Sequence, residues 1–89
     1  MTLAFVFVEC ARGLATSAEE AAKRIHGVLE TNVIKSGTDY DLVLKVKTAN
    51  EMKFKETIAA LKAVAGVSAV AVSIVYGSAE NLIEIQETA

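Results

Sequence analysis

Leu3-Ala4-Phe5-Val6-Phe7-Val8 and a later echo of it, Leu42-Val43-Leu44-Lys45-Val46, decide the fold. The first stretch is short, continuous and rich in β-branched and aromatic residues, which suits a strand buried on both faces better than a helix of that length. Laying each residue over the one 39 positions on sets Leu3, Phe5 and Phe7 on Leu42, Leu44 and Val46. The same offset sets Gly27-Val28 on Gly66-Val67, Ile25 on Val64 and Val33 on Val72. A unit has been used twice.

Each unit reads as strand, helix, strand. After the first strand Gly13 breaks the pattern, and Thr16 or Ser17 stands three residues before Glu19 or Glu20, as in a capping box. Ala18, Ala21, Ala22 and Ile25 then form an apolar stripe that predicts a helix to about Ile25, closed by Gly27. Residues 28–35 turn β-like. Ser36-Gly37-Thr38-Asp39 has turn composition, and Tyr40 to Lys47 alternates as a third strand. Thr48 or Asn50 can cap a second helix carrying Phe54, Ile58, Leu61 and Ala65, Gly66 closes it, and Val67 to Val75 is a fourth strand.

Two such units joined by a hairpin make an α+β fold, the ferredoxin-like βαββαβ sandwich: a four-stranded antiparallel sheet with two helices on one face. The chain divides into a domain over residues 1–76 and an arm over 77–89, where residues 81–86 predict a short fifth strand or a swapped arm. With 89 residues and a 53% hydrophobic fraction, one ordered domain is expected and a second catalytic or DNA-binding module is not.

A net charge of −2 and a pI near 5.3 leave no excess of cations for a phosphate backbone, so direct nucleic-acid binding is not expected. Cys10 is the single cysteine and His26 the single histidine, too few for a disulfide or a structural zinc set, and no cofactor is expected. No run reaches a membrane span, nor does the amino terminus have the pattern of a secretion signal, so the expected setting is soluble and cytoplasmic.

With both helices on one face, the other face of the sheet is open. Strand one offers apolar side chains to both sides, Leu3, Phe5 and Phe7 to one and Ala4, Val6 and Val8 to the other; strand four offers Val70, Val72 and Ile74 opposite Val67, Ala69, Ala71 and Val75. An open apolar face of that size needs a cover. An isologous homodimer pairing sheet on sheet, a dimeric α+β barrel, is the simplest, with Ala4, Val6, Val8, Val70, Val72 and Ile74 as its interface. The other reading is a monomer covered by residues 77–89.

Ile25-His26-Gly27-Val28, Ser36-Gly37-Thr38-Asp39-Tyr40-Asp41-Leu42-Val43-Leu44-Lys45-Val46 and Val64-Ala65-Gly66-Val67 carry a resemblance. They are similar to the motifs of the RAM (regulation of amino acid metabolism) domain, the effector-binding domain of Lrp/AsnC transcription regulators, in its stand-alone form without a helix-turn-helix. Asn81-Leu82-Ile83 resembles a fifth strand found in many members. The resemblance implies dimers that assemble further, an amino acid or other small-molecule effector bound at subunit junctions, and a role in transcription control.

It also implies a ligand-binding set of Ile34, Gly37, Asp39, Tyr40, Asp41, Val70, Val72 and Ser73. In general terms, turn amides suit a carboxylate, and Asp39 or Asp41 an ammonium group. Two departures stand out. The hairpin holds one more residue between Gly37 and the Tyr-Asp pair, and Val70 and Val72 replace threonines whose hydroxyls help bind the amino acid. Such losses weaken a site built on hydrogen bonds.

Nothing in the sequence signs an enzyme: a P-loop, a dinucleotide turn, a paired-histidine metal motif and a nucleophile elbow are all missing. Cys10 reads as a buried or edge thiol and His26 as a helix-end residue rather than a nucleophile and a base. The alternatives are an adaptor that co-assembles with a full-length Lrp/AsnC regulator without a ligand, and a small dimeric α+β barrel enzyme, which rests on analogy of fold alone.

Overall fold

The computed structural model describes residues 1–34, 39–76 and 84–88. Its elements are β1 (Thr2–Cys10), α1 (Ala15–Ala22), β2 (Val28–Val33), β3 (Leu42–Thr48), α2 (Glu51–Lys62), β4 (Val67–Tyr76) and β5 (Glu84–Thr88). The strands form one antiparallel sheet in the order β2-β3-β1-β4-β5. β1, from the first unit, lies between the two strands of the second. That is the ferredoxin-like α+β arrangement, extended by a fifth strand that pairs with β4 of the same chain from Tyr76↔Glu84 to Val72↔Thr88. Among the described residues no helix is long and apolar enough to cross a membrane.

The two helices start for different reasons. Asn50 caps α2, its side chain accepting the Lys53 N–H at 2.9 Å, while the Thr48 hydroxyl donates to the Asn50 carbonyl at 3.0 Å. α1 has no side-chain cap, and the residues expected to form one lie inside it. Leu14 holds the N-cap position, and the Ser17 hydroxyl donates back to its carbonyl at 3.2 Å. The start is set by packing instead: a Cβ added to Gly66 would lie 2.9 Å from that of Leu14, and Ala11 N–H donates to the Gly66 carbonyl at 2.7 Å.

The core is Ala4, Val6 and Val8 of β1 and Leu42, Leu44 and Val46 of β3, under Ala18 and Ala22 of α1 and Phe54 and Leu61 of α2. Val70, Val72 and Ile74 pack against it. This corrects the face assigned from sequence. Ala4 and Val6 are 0% exposed and Val8 1%, so the residues expected at a sheet-to-sheet interface lie under the helices. The reason is a one-residue slip between the units. The closing glycines keep the offset of 39, but the inward residues 4, 6 and 8 of β1 correspond to 42, 44 and 46 of β3, an offset of 38. Side chains alternate with period two, so a slip of one exchanges the faces. The register of β1 against β4 also shifts between Glu9 and Cys10, as at a β-bulge.

Candidate functional site

The open face of the sheet carries Leu3, Phe5 and Phe7 from β1, alternating with the buried set. Their cross-strand partners continue it: Phe7 lies opposite Val43 on β3 and Ala71 on β4, and Phe5 opposite Lys45 and Ser73. Leu3, Phe5, Phe7, Val43, Ala71 and Val75 are all half-buried in the single chain, and Ser73 is buried. Two phenylalanines side by side on a sheet, with no helix over them among the described residues, form an apolar surface in search of a cover.

At the end of this face where β1 finishes, Asp41 ties three segments together. Its N–H donates to the Val8 carbonyl at 2.8 Å, its carbonyl accepts the Ile34 N–H at 2.9 Å, and its Oδ2 accepts the Cys10 N–H at 2.7 Å. The side chain thus satisfies a backbone donor just where the register shifts. The neighbouring Tyr40 ring lies 5.9 Å from that of Phe7, tilted by 50°, which joins this corner to the open face. Burial first, and the Asp41 carboxylate second, push the Cys10 thiol above its ordinary value, so it stays protonated near neutrality.

The residues expected to bind a ligand are not all brought together. Ile34, Tyr40 and Asp41 meet at this corner, with Asp39 exposed beside them. Gly37 lies outside the described residues. Val70 is at the same end of the sheet, since Val8 pairs with both it and Leu42, but on the helix side. Val72 and Ser73 are further along β4 and point to opposite faces, Val72 into the core and Ser73 beside Phe5. Phe5 and Phe7 carry the open face, which sequence reading placed inside. The sequence signal that points to them lies on β3, where Lys45 and Lys47 mark the outer face opposite the buried Leu42, Leu44 and Val46.

Fold and open face together define a small ferredoxin-like sandwich with an apolar, half-buried sheet face opposite its helices. TTHA0845 from Thermus thermophilus is similar in structure, with a TM-score of 0.81 and 18% identity over 91% of this chain and 100% of that one. FFRP-DM1 gives a TM-score of 0.76 and 23% identity over 83% and 97%. Hypothetical protein PHS023 from Pyrococcus horikoshii gives 0.78 and 21% over 89% and 94%. At these identities the likeness is one of fold. No family model matches the chain, and no curated protein sequence matches it.

Proposed function

We propose that this chain is a non-enzymatic assembly and effector-sensing domain of the Lrp/AsnC type, pairing with a second copy through the open sheet face. The observation that carries the reading is that face, with Phe5 and Phe7 at its centre. Its support from outside the chain is the fold shared with FFRP-DM1, which we read as a domain of this regulator class. An isologous pair buries the same phenylalanines from both copies.

Sensing then works by linkage: an amino-acid-like effector seated at a subunit junction shifts assembly by its differential affinity for one assembly state. The corner of Ile34, Tyr40 and Asp41 is the place proposed for it, because Tyr40 reaches the assembly face through Phe7. Acid–base chemistry has little to work with. Lys47 N–H donates to Gly27 beside His26 at one end of β3, while Cys10 lies at the other end with its thiol protonated.

A second reading is favoured by one observation. Val70 and Val72 stand where the resemblance places ligand-binding threonines, and both pack against the core. A domain without those hydroxyls can act as an adaptor that co-assembles with a full-length regulator and binds no effector.

Sedimentation separates these readings. Phe5→Glu should give a folded monomer at concentrations where the parent is a dimer, whereas Val6→Asp should unfold by burying a charge in the core. A Phe5→Glu chain that sediments like the parent refutes pairing through this face. A panel of the twenty amino acids on the same samples decides the rest: one that raises Tm and changes assembly supports sensing, and indifference to all of them favours the adaptor.

A further inference from the structure

On the helix side of the sheet, a groove of about 430 Å³ runs between α2 and β4. Phe54 and Ile58 from α2 and Val72 and Ile74 from β4 line its apolar walls, Ala59 leaves its rim low, and Lys55 and Lys62 stand along that rim. The volume falls in the range of small-molecule sites, and the make-up, apolar walls with a few charged groups, is theirs too.

The charges set the ligand class. Lys23 pairs with Glu20 at 3.3 Å and Lys53 with Glu56 at 3.6 Å, but Lys55 and Lys62 have no ion pair among the described residues. The chain as a whole is acidic, so two lysines without an ion-pair partner among the described residues stand out beside an apolar groove. They are seven residues apart, about 10 Å along the helix, and lysine stems are long enough for both ammonium groups to fold over Ala59.

We infer that this groove binds an aliphatic carboxylate, its chain lying against Phe54, Ile58, Val72 and Ile74 and its head group between Lys55 and Lys62. A zwitterionic amino acid suits it poorly, because its ammonium group would meet two cations. The groove is on the opposite side of the sheet from Phe5 and Phe7, so failure of either reading leaves the other standing.

The test is an amide NMR titration with sodium octanoate and decanoate below their micellar range, with octyltrimethylammonium as a probe of similar tail and opposite charge. Saturable shifts on α2 and β4 with the carboxylates, and none with the cation, are expected. Ala59→Trp, at an exposed rim position, should abolish binding with the fold intact, and K55E/K62E should weaken it at least tenfold. Absence of saturable binding, equal binding of the cationic probe, or unchanged affinity in a folded Ala59→Trp chain would overturn the inference.

Discussion

Asp41→Ala separates a structural aspartate from a ligand-binding one. The side chain accepts the Cys10 N–H at 2.7 Å in a half-buried setting where the ladder between β1 and β4 changes register. A hydrogen bond to a charged group contributes about 1.5–3 kcal/mol. Water can reach part of this corner and re-solvate the orphaned N–H, so the lower part of that range applies, about 1.5–2 kcal/mol. For a domain of this size that is a fall in Tm of about 6–16 °C. Asp41→Asn keeps an uncharged acceptor and should lose roughly half as much.

The charge itself has a second readout. Asp41 is the lesser cause of the raised Cys10 pKa, so Asp41→Asn should lower that pKa part of the way while burial keeps it above its ordinary value. Urea unfolding followed by circular dichroism gives the first quantity, and the pH dependence of iodoacetamide labelling gives the second. An Asp41→Ala chain as stable as the parent within about 0.5 kcal/mol, the bound usual for surface substitutions, would refute the structural role. An unchanged thiol titration in Asp41→Asn would remove the proposed electrostatic contact.

Other outcomes follow from the same geometry. Gly27→Ala should cost about 2–4 kcal/mol, because its φ of +101° is joined by Thr57 Oγ1 at 2.9 Å and Thr48 Cγ2 at 3.0 Å from the added Cβ, whereas Gly13→Ala, at φ +80° in open space, should cost about 1 kcal/mol; equal losses in thermal unfolding would show that crowding is irrelevant. Asn50→Ala should cost about 1 kcal/mol through loss of the α2 cap, measurable by urea unfolding, whereas Ser17→Ala at α1 should cost little, its hydroxyl bonding back to Leu14 from inside the helix. Stability should also fall at alkaline pH: the unfolded Cys10 thiol ionises first as pH passes its ordinary pKa, and the loss grows until the folded thiol ionises too. Cys10→Ala should remove this part of the pH dependence, and an unchanged alkaline slope would refute it.

Much of this architecture is legible in residues 3–76 because two signals agree there, strand composition and the repeated Gly-Val pair. The glycine offset reports where helices end, and Gly27 and Gly66 do both take left-handed conformations, at φ +101° and +94°. It does not report strand register, which depends on the whole span from strand to glycine, 19 positions from Val8 to Gly27 and 20 from Val46 to Gly66. β1 is apolar at every position from Leu3 to Val8, so alternation could not show which set points inward. β3 could have done so, since Lys45 and Lys47 mark its outer face opposite Leu42, Leu44 and Val46. Pairing Ala4 with Val46 then carries that polarity to β1, but a pairing is a long-range fact. The Asp41 corner was legible as chemistry in a turn, while its partner, the Cys10 N–H, is 31 residues away and lies on another strand.

The glycine contacts cross between the repeats. Lys47 N–H, from the second unit, donates to the Gly27 carbonyl of the first at 2.8 Å, and Ala11 N–H, from the first, donates to the Gly66 carbonyl of the second at 2.7 Å. The Thr57 hydroxyl of α2 likewise holds the His26 carbonyl at 2.9 Å. Each helix-to-strand turn closes within its own unit, Val28 N–H donating to the Ile25 carbonyl at 3.2 Å and Val67 N–H to that of Val64 at 3.1 Å, and each is held from outside by a clasp that its twin supplies. A gene duplication that began with two self-sufficient halves would have left two separable folding units. Here reciprocal clasping makes the halves obligate partners, so the chain should melt without a stable half-folded stage, and either half alone should find order only in the company of the other.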